Sequence, residues 1–150
     1  MLSRELRVIV NKYHVFLKSK ITSFLIGYRR KYEKFPMKEL NSLSRHHSYN
    51  LLSTLIIKGK KVDYVVALKE TKTTYNSLKK KINPSYFNPY LRAYLKDANK
   101  CKSESDIKIV YKTYERNLDK EFKEMDKDLD FCIRTLKEVN IKLREANKKK

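Results

Sequence analysis

The sequence predicts an all-α fold, a helical bundle of about four main helices with a long, heptad-bearing C-terminal helix. Three observations carry that expectation. Only 2 Gly and 3 Pro occur in 150 residues, too few punctuators for many strands and tight turns. Apolar side chains recur at steps of three and four through most of the chain, the period of a helix with one buried face. Charged residues make up 35% against 41% hydrophobic, which suits slender helical elements with much solvated surface.

The first helix is expected from Ser3, an N-cap residue type, to about Glu33. Leu6, Ile9, Val10, Tyr13, Phe16, Leu17, Ile21, Phe24, Leu25, Tyr28 and Tyr32 form its stripe, and Phe35-Pro36 ends it. A second helix is read from Met37 to about Ile57 on Leu40, Leu43, His47, Leu51 and Leu55, with Gly59 as its C-terminal cap. A β-hairpin with arms 54–57 and 62–68 around Lys58-Gly-Lys-Lys61 competes for this stretch. Because strict alternation is missing on both arms, helix–turn–helix is preferred, with a third helix over 61–82. Asn83-Pro84 and Asn88-Pro89 both look like helix starts, so a short helix is expected from Pro89 to about Lys100. The last helix is capped by Ser103 or Ser105, with Glu104 and Asp106 favouring its positive N-terminus. Its seam Met125, Leu129, Cys132, Leu136, Val139, Leu143 alternates steps of four and three. A helix of some 40 residues is about 60 Å long, so it must pack on the first helix or on another chain, and the seam is a candidate for self-association.

Charge divides the chain. The net charge is +19 and the pI about 9.9. Residues 1–102 hold 23 Lys and Arg against 6 Asp and Glu, whereas residues 103–147 hold 10 against 11, before the terminal Lys148-Lys149-Lys150. Residues 1–102 therefore read as a basic helical segment, and 103–150 as a charge-balanced helix with a basic tail, within one domain. Such an excess repels itself unless a polyanion relieves it. Candidate phosphate contacts fall in clusters: Arg29, Arg30, Lys31 and Lys34; Arg45 beside His46-His47; Lys58, Lys60 and Lys61; Lys79, Lys80 and Lys81; and Arg92. Tyr86, Tyr90 and Tyr94 beside Arg92 and Lys96 are candidates for stacking on unpaired bases. Tyrosines at this spacing equally suit a core edge with the hydroxyl in water.

No catalytic, metal or cofactor site is expected. A Gly-rich phosphate loop cannot be built from Gly27 and Gly59 alone. Asp63 and Glu70 share a helical face, but one such pair is weaker than the carboxylate clusters of metal-dependent nucleases. His14, His46 and His47 lack zinc-ligand spacing, and nothing pairs Cys101 with a histidine as a nucleophile. Cys101 and Cys132 make no disulfide framework, which implies a reducing, intracellular compartment, either cytoplasm or a virion or nucleoprotein particle. Met1 to Lys20 is basic and amphipathic like an organelle-targeting peptide, yet its stripe continues to Tyr32, as in a structural helix. No apolar run approaches a membrane span.

The order of elements over residues 6–100 resembles one known group. A long first helix ends in Glu33-Lys-Phe-Pro36, followed by a helix with Leu43, Arg45 and Leu51-Leu52, a Lys-rich turn and another helix. This is similar to the four-helix proteins of the ribosomal RNA intervening-sequence type and the related accessory variability determinant of diversity-generating retroelements. The resemblance implies a basic four-helix protomer, often in a ring, that binds nucleic acid and, in retroelements, a reverse transcriptase. The chain departs from that pattern in lacking a Gly-Trp motif and in its longer last helix. The function expected is a non-catalytic RNA- or DNA-binding scaffold subunit of a ribonucleoprotein or similar assembly. The alternative is a helical adaptor that docks on an acidic protein through its basic face and coiled-coil seam.

Overall fold

The computed structural model describes residues 2–45, 55–57, 60–62 and 64–148. These form α1 (Arg4–Lys34), α2 (Met37–Arg45), β1 (Leu55–Ile57), β2 (Lys60–Val62), α3 (Tyr64–Lys81), a 3-10 turn (Pro84–Phe87), α4 (Asn88–Ala98) and α5 (Glu104–Lys148). The fold is an all-α helical bundle with a long C-terminal helix, as the periodicity predicts, and it carries one short hairpin. α1 and α5 have 31 and 45 residues, about 46 and 68 Å at 1.5 Å per residue. Among the described residues, no helix is long and apolar enough to cross a membrane.

Local chemistry fixes the ends. The Leu6 amide donates to Ser3 Oγ at 3.2 Å, and the Asp106 amide donates to Ser103 Oγ at 3.2 Å. Both serines thereby satisfy amides that the first helical turn leaves without partners. Asn83 Oδ1 accepts from the Ser85 amide at 3.1 Å, with Pro84 opening the 3-10 turn. The second Asn-Pro pair behaves differently from the expectation. Asn88 already lies inside α4, and Phe87 occupies the cap without a side-chain hydrogen bond.

The hairpin corrects the preferred reading of residues 51–68 as helix–turn–helix. β1 and β2 are antiparallel, with Leu55 opposite Val62, Ile56 opposite Lys61 and Ile57 opposite Lys60. Only Lys58 and Gly59 separate the last pair in sequence, the separation of a two-residue hairpin loop. β-branched Ile56, Ile57 and Val62 favour extended backbone, and a glycine inside a helix costs about 1 kcal/mol. Arms of three residues are too short for alternation to be informative. α2 is described to Arg45 and α3 starts at Tyr64, so the expected helices over 37–57 and 61–82 are shorter than read. Gly59 as a helix cap lies outside the described residues.

The chain packs as two compact units, of residues 1–30 with 80–125 and of residues 31–79 with 126–150. In the first, the start of α1, α4 and the start of α5 bury Val10, Leu17, Ile21, Leu25, Phe87, Tyr94, Ile107, Leu118 and Met125. The Phe24 and Phe122 rings stack at 4.0 Å, and Tyr13 stacks on Tyr111 at 4.4 Å. Tyrosine hydroxyls tie helix to helix: Tyr28 donates to the Met125 carbonyl at 2.8 Å and Tyr94 to the Val10 carbonyl at 2.9 Å.

In the second unit, Tyr32 and Tyr75 stack at 4.2 Å, and each hydroxyl donates to the other residue's carbonyl, at 3.4 and 2.9 Å. Phe35 closes on Tyr75 at 4.6 Å, so the residue that ends α1 is itself a core side chain. Cys132 Sγ lies 3.6 Å from the Thr71 carbonyl and is fully buried. The seam proposed for self-association is therefore interior to the single chain. Met125, Leu129, Cys132, Leu136 and Val139 are at most 5% exposed, and the Leu143 side chain lies outside the described residues. A 4–3 repeat marks a buried helical stripe whether its cover is another chain or the same one.

Candidate nucleic-acid interface

The C-terminal halves of α1 and α3 end in basic runs, and one side chain joins them. Arg29 Nε and Nη2 both donate to the Ile82 carbonyl, at 3.0 and 2.8 Å. That carbonyl follows α3, where the helix dipole is negative and backbone acceptors lack intrahelical partners. The bond ties the end of α1 that carries Arg30 to the end of α3 that carries Lys80 and Lys81. Arg30 and Lys80 are exposed. Lys81 is half-buried and pairs with Glu121 of α5 at 3.2 Å.

Glu121 also accepts from the Tyr86 hydroxyl at 3.2 Å. Burial, then the Glu121 charge, holds the Tyr86 phenol above its ordinary pKa, and the same two causes in the same order act on Tyr90. Both rings are half-buried and pack about Phe87, at 5.1 and 6.0 Å. The chemistry assembled is a cationic rim with two partly exposed aromatic rings beside it. Such a rim can hold phosphates through Arg30 and Lys80, while the rings offer faces to unpaired bases.

Several expected site residues take other roles. Arg29 is a clamp with two donors committed to the fold, and Lys81 is partnered by a carboxylate, so neither is an outward phosphate arm. Tyr94 is a correction: it is 0% exposed, its hydroxyl is held by Val10, and its ring cannot reach a base. Arg92 is exposed on α4 in the same unit. Lys31, Lys34, Lys61 and Lys79 are exposed and belong to the second unit. Lys31 opposes the burial that raises the Asp126 pKa. The side chains of Arg45 and Lys60, and all of Lys58, lie outside the described residues.

The sequence alone missed Glu121, because a carboxylate chosen by a lysine on another helix leaves no mark in local spacing. It also missed Lys20, which bridges to Asp119 at 2.9 Å and Glu115 at 3.8 Å and ties α1 to the acidic side of α5.

Elsewhere, Glu70 and Asp128 line a cleft of roughly 470 Å³ in the second unit with Lys69, Val66 and Phe131. Asp63, His46 and His47 lie outside the described residues. Among the described residues, no three His, Cys, Asp or Glu side chains group to hold a metal ion. His14 is half-buried over Tyr94, and burial, then Lys18, lowers its pKa. Burial pushes the Cys101 thiol up, and that of Cys132 up to about 12, the direction opposite to an activated nucleophile. No family model, curated protein or solved structure matches the chain.

Proposed function

We propose that the protein is a non-catalytic, basic helical subunit that binds RNA or DNA through phosphate contacts. The observation that supports the reading is the Arg29–Ile82 clamp, which ties the helix end bearing exposed Arg30 to the helix end bearing exposed Lys80. A net charge of +19 favours a polyanion, and a nucleic acid presents phosphates at a regular, dense spacing that flexible Lys and Arg side chains can follow. Tyr86 and Tyr90 beside the rim favour a single strand, whose unstacked bases can lie on aromatic rings. The resemblance of residues 6–100 to the intervening-sequence four-helix proteins points the same way, toward a subunit of a nucleoprotein assembly.

Retention of generic single-stranded RNA and of duplex DNA, titrated against salt, tests the reading. Phosphate binding predicts that the logarithm of affinity falls linearly with the logarithm of salt concentration, by about 0.7 to 0.9 per phosphate neutralised. An absence of binding to either polymer at low salt contradicts it and leaves the basic rim to an acidic protein.

A further inference from the structure

α1 carries a second surface, on the side turned away from its core stripe. Val8, Val15 and Ile26 are 63%, 56% and 55% exposed, and Phe16 is 45% exposed. At 100° per residue Val8, Val15 and Ile26 fall within about 20° of one another, in a line about 27 Å long. Lys12 and Arg30 run along one side of the line, with the Lys12 ammonium 5.8 Å above the Phe16 ring. Between Glu5 and Glu33 α1 has no acid at all. The α5 carboxylates bonded to this stretch, Glu115 and Asp119, are held by Lys20, about 120° round the helix from the line.

We infer that this face of α1 rests on an anionic lipid surface, with its aliphatic side chains entering the headgroup–acyl boundary, Phe16 at the edge of the face where its ring meets Tyr13 and Tyr111, and its cations meeting lipid phosphates. Charge complementarity selects the sign: a basic helix with no acid between Glu5 and Glu33 attracts anionic lipid and repels a second copy of itself. The apolar side chains select the class. A nucleic-acid backbone satisfies Lys12 and Arg30 but leaves Val8, Val15 and Ile26 in water, whereas a bilayer interface takes both kinds of group. Their spread along the helix suits a plane better than a compact pocket, in which anchors cluster. This surface shares Arg30 with the phosphate-binding rim, but its apolar line is its own, so substitutions at Val15, Phe16 and Ile26 test it without altering the rim.

Co-sedimentation of the full chain with vesicles tests it, using phosphatidylcholine alone and phosphatidylcholine with phosphatidylglycerol. Retention is expected on the anionic vesicles only. The double variant Val15→Ser/Phe16→Ser should lose about fivefold or more of that retention with its helical circular dichroism and RNA retention unchanged. Ile26→Ser, one more exposed position on the same line, should lose retention in the same direction if the double variant fails to fold. Undiminished binding by the folded variants overturns the inference, because charge alone then accounts for attachment. Equal retention on neutral vesicles also overturns it. No retention on anionic vesicles does so too, and assigns the face to an acidic protein.

Discussion

Tyrosine hydroxyls do much of the positioning of one helix on another. Tyr28, Tyr32, Tyr75 and Tyr94 each donate to a main-chain carbonyl 43 or more residues away. Each hydroxyl therefore fixes the register of two helices that hydrophobic burial alone would leave free to slide. Burial holds the Tyr94 phenol up at about 12, so it stays protonated and remains a donor at neutral pH. Tyr94→Phe should cost about 1 kcal/mol in urea unfolding, the worth of one hydrogen bond, with RNA affinity unchanged. A loss of affinity without loss of stability would return Tyr94 to the binding surface. Nothing in the local pattern separates Tyr94 from Tyr90, since both sit on one aromatic run beside Arg92. What separates them is the Val10 carbonyl, 84 residues away.

At the scale of elements, the long helices were legible because their signals are local and redundant. Ser3 and Ser103 cap α1 and α5 by the chemistry their positions imply. The hairpin was not legible in the same way: residues 51–62 combine apolar spacing compatible with a helix and a Lys-Gly pair compatible with a loop. Backbone pairing between 55–57 and 60–62 is local, but arms of three residues carry too little alternation to outweigh a helical spacing. The α5 seam shows the converse limit. Its 4–3 repeat marks a buried stripe, but a repeat carries no information about which chain covers it. Gly27 offers a direct test of α1. It is exposed in mid-helix, and a Cβ built there meets nothing within 4 Å. Gly27→Ala should therefore stabilise the protein by about 0.5–1 kcal/mol through helix propensity, read as a higher melting temperature. A lower one would mean that α1 does not run unbroken through this position.

Across the whole molecule, the charge division seen along the chain does not survive packing as a division between bodies. The first unit holds 18 Lys and Arg against 8 Asp and Glu, and the second 18 against 9. Each unit joins acid-poor helices to part of α5, so each is basic and each has carboxylates in reach. Lys20, Lys81 and Lys142 bridge to α5 carboxylates. The basic clusters were legible in the sequence as runs, but the distinction between Lys80, exposed, and Lys81, paired with Glu121, rests on tertiary geometry. On the proposed function, net charge would supply attraction at long range, and the rim around Arg30 and Lys80 would be where a strand is held.

The most direct measurement compares two charge reversals of equal size by fluorescence anisotropy on a labelled single-stranded RNA. Arg30→Glu/Lys80→Glu alters the rim, and Lys108→Glu/Lys112→Glu alters exposed positions about three turns away on α5. Both lower the net charge by the same amount, so a diffuse attraction responds equally to each. A held strand predicts that the first weakens binding about tenfold or more and the second about threefold or less. Equal weakening by the two pairs would contradict the assignment of the rim.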